Sequence, residues 1–180
     1  YCFLMKFETE FHESLIHPKY AHLEINTKVV NPTFLYEVFN CNQNIVFLKN
    51  DRFINQWPVN EIHLFQGKLS MHILIDIYQK PESDWLGVFH ASALSNGKKS
   101  MLFLGDSGNG KSTSLALLNA AGFKCIADDF VPVDSNAKIH SYPAGISIKK
   151  NSLKTLLPYY PELETSAEYH FKRLNKIVRY

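Results

Sequence analysis

Residues 105–112 read Gly-Asp-Ser-Gly-Asn-Gly-Lys-Ser and fit G-x-x-x-x-G-K-[ST] without a mismatch. Gly105, Gly108 and Gly110 let the backbone turn so that several N–H groups point inward at phosphate oxygens. The next residues, STSLALLNAAG (112–122), space Leu115, Leu118 and Ala121 along one helical face. Gly122 stands where a helix C-terminus wants it. Such a helix presents its positive end to the same anion. Lys111 is expected to reach the β- and γ-phosphates, Ser112 to offer a hydroxyl to Mg²⁺, and Thr113 to add a hydroxyl near the α-phosphate. Gly105, Asp106, Ser107, Gly108, Asn109, Gly110, Lys111, Ser112 and Thr113 are therefore the expected nucleotide-binding residues, with ATP and Mg²⁺ as the expected ligands. A glycine-rich turn that binds nothing is the plain alternative. The full eight-residue match between an apolar run and a helix weighs against it.

Before the loop, two apolar runs, residues 88–94 and 101–104, flank SNGKK. Asn96-Gly97 favours a tight hairpin because both positions tolerate positive φ. The strand entering the loop is thus expected to be antiparallel to its predecessor, whereas most nucleotide-binding α/β folds feed the loop from a parallel sheet. After the helix, FKCIADDFVPVD (123–134) reads as a short strand ending in Asp128 and Asp129. Ligands gather at the carboxyl ends of strands in such sheets. One carboxylate is read as a Mg²⁺ ligand and the other as a base for an incoming hydroxyl. An acidic turn is the rival reading. His90, on the hairpin strand, is either a structural hydrogen-bonder or a catalytic group.

The remaining chain is read more coarsely. YAHLEINTKVV, PTFLYEVFN, NIVFLKN and EIHLFQ, all within residues 1–66, are β-branched and aromatic segments separated by Asn, Pro and Asp. They predict a small antiparallel sheet. KLSMHILIDIYQK (68–80) fits both alternation and a helical stripe, and its length favours a helix. PESDW breaks the chain there, giving a small β-rich part, residues 1–82, packed on a core of residues 83–180. HSYPAGISIKK (140–150) reads as extended, and NSLKTLLPYYPEL as a helix capped by Asn151 or Ser152 that stops at Pro158. The chain begins at Tyr1 rather than Met and shows no obvious stop, so a fragment truncated at its C-terminus is expected.

Composition sets outer limits. The apolar share is 46% and the charged share 20%, ordinary for a soluble globular protein. A formal net charge of +2 is too small to argue for nucleic-acid binding. No run of roughly 18 apolar residues predicts a membrane helix. Cys2, Cys41 and Cys125 show no CxxC spacing, so neither a disulfide framework nor a zinc site is expected, and a reducing cytoplasm is the default. Cys125 is read as a small buried residue.

The stretch FHASALSNGKKSMLFLGDSGNGKST with GFKCIADDFVPV resembles the HPr kinase/phosphorylase family, whose fold is shared with the core of PEP carboxykinase. The resemblance spans roughly residues 87–150. It implies an α/β mixed-sheet core with a phosphate loop, and phosphoryl transfer from a nucleotide to a hydroxyl of a small molecule or a protein serine. By position it makes Asp128 the general base, Asp129 and Ser112 the metal-linked groups, Lys111 a phosphate ligand, and His90 a polar ligand to phosphate or metal. Relatives of this fold often assemble, so a homo-oligomer is among the expectations. The chain departs from the family in one segment: no Glu occurs between residues 134 and 162, where the family carries a Glu-containing, Arg-Gly-rich stretch. HPr itself is therefore not the expected acceptor. Lys149 and Lys150 are read either as contacts for a substrate anion or as a solvated strand end. Two rivals stand beside the kinase: a nucleotide-binding regulatory module with little turnover, and a phosphate-loop ATPase of the ordinary parallel class.

Overall fold

The computed structural model describes residues 1–27, 29–171 and 176–180. It is a mixed α/β chain with four α-helices and several small sheets among those residues. It divides into two compact units, Tyr1–Glu82 and Ser83–Tyr180.

The first unit holds a four-stranded sheet, ordered β1 (Phe3–Phe7), β2 (Phe34–Cys41), β3 (Asn44–Lys49) and β4 (Arg52–Pro58). β2, β3 and β4 form the antiparallel meander that the sequence predicts. Asn42-Gln43 and Asn50-Asp51 make its two-residue turns, all four residues at positive φ, which matches the strand twist. β1 departs from expectation and pairs with β2 in parallel. A parallel pair needs a crossover. Helix α1 (Glu10–Ile16) and two 3₁₀ turns, His17–Lys19 and Ala21–Leu23, supply it. The YAHLEINTKVV segment is therefore no strand among its described residues. Its β-formers Ile25 and Val30 are 60% and 80% exposed, with no sheet face to receive them.

EIHLFQ is also not a strand. Ile62 opens helix α2 (Ile62–Tyr78), which takes in most of the ambiguous 68–80 segment. Phe65, Leu69 and Ile73 recur every four residues and are buried, a period too long to see in six residues alone. Phe65 meets Phe47 edge-on at 6.4 Å and Trp57 at 5.7 Å. Asp76, buried on α2, accepts hydrogen bonds from the Tyr36 hydroxyl at 2.5 Å and from the Lys49 ammonium. Burial and the Asp76 charge hold the Tyr36 hydroxyl far above its ordinary pKa.

The second unit is built from three small sheets and two helices. Strands β5 (Trp85–Phe89), β6 (Ser92–Ser95) and β7 (Ser100–Phe103) precede helix α3 (Lys111–Ala120). Strands β8 (Lys124–Asp128), β9 (Val131–Asp134) and β10 (Ile148–Lys149) lead to helix α4 (Lys150–Leu156), and β11 (Tyr169–Phe171) and β12 (Lys176–Arg179) follow. The sheets are β7-β6-β8, β5-β9 and β10-β12-β11, all antiparallel. The Asn96-Gly97 hairpin is present, with Ser95 opposite Ser100.

Two runs that read as single strands are each split. Residues 88–94 break at His90-Ala91, and 123–134 break at Asp129-Phe130. Phe89 lies opposite Val131, and Ser92 opposite Asp128, so the two breaks face each other. The chain changes sheet twice at one place, and this brings His90 beside Asp129. Only Ile148 and Lys149 of the 140–150 segment form strand. α4 starts at Lys150 with no side-chain cap; Ser152 is instead bonded to Thr113. Cys125 is exposed, contrary to expectation. No helix among the described residues is long and apolar enough to cross a membrane.

Candidate functional site

Residues 104–110 connect β7 to α3, and Lys111 and Ser112, the first two residues of α3, complete the Gly105–Ser112 loop motif. Gly108 and Gly110 take φ of +105° and +79°, which side chains disfavour, and Gly110 is the N-cap of α3. The first intrahelical bond runs from Ser114 N–H to the Gly110 carbonyl. The N–H groups of Lys111, Ser112 and Thr113 are thus the helix's own orphan donors, and no side chain caps them. Lys111 is buried, and its ammonium donates to the Gly105 and Asp106 carbonyls at 2.7 and 3.1 Å. The loop lysine is thus folded over its own loop.

β8 delivers Asp128 directly beneath the loop. The side chain is 1% exposed. It accepts from the hydroxyls of Ser92 and Ser112, the latter at 3.1 Å, and from the Ser147 N–H at 3.0 Å. Burial pushes its pKa up, and the Asp129 charge adds to this; the bonds from Ser92, Ser147 and Ser112 oppose the shift. Asp129 follows at φ +59°, in the left-handed region. Adjacent residues of a strand point to opposite faces. The left-handed turn ends β8 here and keeps the two carboxylates apart. Asp128 points into the interior at Ser112, while Asp129 faces a cleft with His90, whose Nδ1 lies 3.6 Å from its Oδ1 and 3.4 Å from its carbonyl oxygen.

Eight of the sequence-predicted residues line this cleft: His90, Ser107, Gly108, Gly110, Lys111, Ser112, Thr113 and Asp129. Gly105, Asp106 and Asn109 stand outside its lining, and Asp128 lies beneath it, reached through Ser112. The far wall comes from Ser147, Lys149, Asn151 and Ser152. Thr113 meets Ser152 at 2.6 Å, and Lys149 donates to the Ser107 hydroxyl at 3.1 Å. Sequence reading missed Ser92, Ser147, Asn151 and Ser152 as site residues. Ser92 had one usable signal, its place in a hairpin strand next to a loop-bearing one. Ser147 had none, since its bond to Asp128 is made by backbone.

α3 and α4 are locked together behind this wall. Ala116 of α3, Ile148, Leu156 and Leu163 form one buried cluster. The Tyr160 hydroxyl lies 2.8 Å from the Ala116 carbonyl and 3.0 Å from Asn119 Oδ1.

Asp128 and Ser112 present adjacent hard oxygen donors. Mg²⁺ prefers such ligands and usually takes only one or two carboxylates, leaving its other positions to water and phosphate. Ser112 lines the cleft and offers such an oxygen, while Asp128 lies beneath it and accepts from that hydroxyl. No protein-family model matches the chain, and neither does any curated protein or solved structure.

Proposed function

We propose that the chain is a Mg²⁺-dependent phosphotransferase that moves the terminal phosphoryl group of a nucleoside triphosphate, ATP in the first instance, to a hydroxyl of a small molecule or a protein serine. The observation that carries this reading is the division of labour between neighbouring carboxylates. One is buried against the loop serine; the next is turned into the cleft beside a histidine. The second faces the space that an acceptor hydroxyl would enter. The resemblance of residues 87–150 to HPr kinase/phosphorylase supports the same chemistry and a related phosphate-loop core.

The roles follow from position. The amides at the start of α3 and the Lys111 ammonium bind the phosphate chain. Ser112 is the group that would hold Mg²⁺ from the cleft, with Asp128 behind it positioning the Ser112 hydroxyl; the ion would supply positive charge against the phosphates. The proposal exchanges the two aspartate roles expected from the resemblance. Asp129, open to the cleft, takes the proton from the acceptor hydroxyl, and His90 orients it. The acceptor oxygen forms the new bond to phosphorus as the bond to the diphosphate breaks, and the diphosphate carries away the electron pair. Asp128 is already committed to three hydrogen bonds and has no path to an acceptor.

The test is transfer of label from γ-labelled ATP with Mg²⁺ to pooled hydroxyl metabolites, free serine and cell-extract protein. The unaltered chain is expected to label an acceptor. Asp129→Asn is expected to lower the rate on the order of 10²–10⁴-fold with nucleotide affinity retained. Asp128→Asn is expected to weaken Mg²⁺-nucleotide affinity as well. Tight nucleotide binding with no transfer to any acceptor would replace this reading with a nucleotide-binding regulatory module.

A further inference from the structure

The cleft holds a second cation from a separate element. Lys149 is the last residue of β10, and its backbone is fixed by pairing with Val178 of β12. Ile148 beside it is anchored in the buried cluster against Ala116 of α3. The Lys149 ammonium reaches the Ser107 hydroxyl, at the arc of the loop, while the Lys111 ammonium sits on Gly105 and Asp106, at its start. Two ammonium groups thus approach one eight-residue loop from different sides. Lys150, next in the chain, is exposed and takes no part in the cleft.

Position along the phosphate chain follows from neighbours. Ser147 and Lys149 are two residues apart in an extended segment, and both line the cleft. The Ser147 N–H holds Asp128, so Lys149 springs from the segment that supports the carboxylate behind Ser112, the group assigned to Mg²⁺. Mg²⁺ sits between the last two phosphates of a bound nucleotide, so on that assignment the Ser147–Lys149 segment borders the terminal phosphate.

Building on the phosphate-loop reading, we propose that Lys149 leaves Ser107 to bind the terminal phosphate, and that it is the residue by which the site selects nucleoside triphosphate over diphosphate. A diphosphate lacks the group this ammonium would contact, so its affinity does not depend on Lys149. During transfer the same contact offsets charge on the moving phosphoryl oxygens.

The experiment measures dissociation constants of the full chain for Mg²⁺-ATP and Mg²⁺-ADP by titration calorimetry, for the unaltered protein, Lys149→Met and Lys149→Arg. Lys149→Met is expected to lose about 10-fold in ATP affinity, the worth of one charge-assisted hydrogen bond. Its ADP affinity is expected to stay within about 2-fold, which also shows that the variant is folded. Lys149→Arg is expected to recover most of the ATP preference, because the positive charge is kept. An unchanged ATP-to-ADP ratio in Lys149→Met overturns the proposal and leaves the phosphate-loop reading standing. Absence of binding of either nucleotide to the unaltered chain overturns both.

Discussion

Asp129 occupies left-handed backbone, a conformation that costs most side chains about 1–2 kcal/mol and that Asp and Asn tolerate better. Strain held at such a position is commonly part of a site's function. Asp129→Gly is expected to leave stability unchanged or raise it by up to about 1 kcal/mol in denaturant unfolding, while abolishing transfer. Loss of stability in that variant would mean that the carboxylate is structural. Asp128 behaves oppositely. Asp128→Ala removes the acceptor of three donors, and is expected to cost about 1–3 kcal/mol in the same measurement. A third carboxylate, Asp134, contributes to the acid sensitivity of this unit. The His140 ring bonds Asp134 at 2.7 Å and, with the Lys138 and Asn136 N–H groups, lowers the Asp134 pKa to about 2. The folded value lies below the unfolded value of about 3.9, so this contribution is complete above pH of about 4 and is lost as pH falls toward about 2. Unfolding followed from pH 5 to pH 2 is expected to show that loss, and Asp134→Asn to flatten it.

At the scale of elements, the site depends on α3 and α4 being held together. Leu156, the last residue of α4, is fully buried in the cluster that contains Ala116 of α3. Leu156→Ala is expected to cost about 2–5 kcal/mol in equilibrium unfolding, and to weaken ATP binding because β10 and Lys149 lose their backing. Retained affinity after that loss of packing would show that the far wall is dispensable. This scale also marks where sequence reading succeeded. The loop, α3 and the Asn96-Gly97 hairpin were legible because each rests on local chemistry: glycines, one helical stripe, one turn dipeptide. The parallel β1–β2 pair was not, since strand direction depends on a crossover made by α1 and two short turns. Nor were the breaks at His90-Ala91 and Asp129-Phe130, which exist only because they face each other across the fold. Apart from Lys149, the far wall was hidden for the same reason. Ser147 meets Asp128 through its backbone, 19 residues away in the chain.

Across the whole molecule, the proposed chemistry lies within the second unit, and each unit carries one tryptophan, Trp57 in the first and Trp85 in the second, both mostly buried. Variants that keep one tryptophan each therefore report the units separately. A ligand that binds only the folded state at 100 times its dissociation constant stabilises by about 2.7 kcal/mol. Mg²⁺-ATP is expected to raise the thermal transition seen by Trp85. A shift seen by Trp57 and not by Trp85 would move the binding site to the first unit. The central claim is that the Gly105–Ser112 loop holds a Mg²⁺-nucleoside triphosphate, and calorimetric titration of the full chain with Mg²⁺-ATP, with Lys111→Met alongside, tests it most directly. The account expects saturation at one site per chain and a loss on the order of 100-fold in Lys111→Met. Equal affinity in the two proteins, or no binding in either, would contradict it.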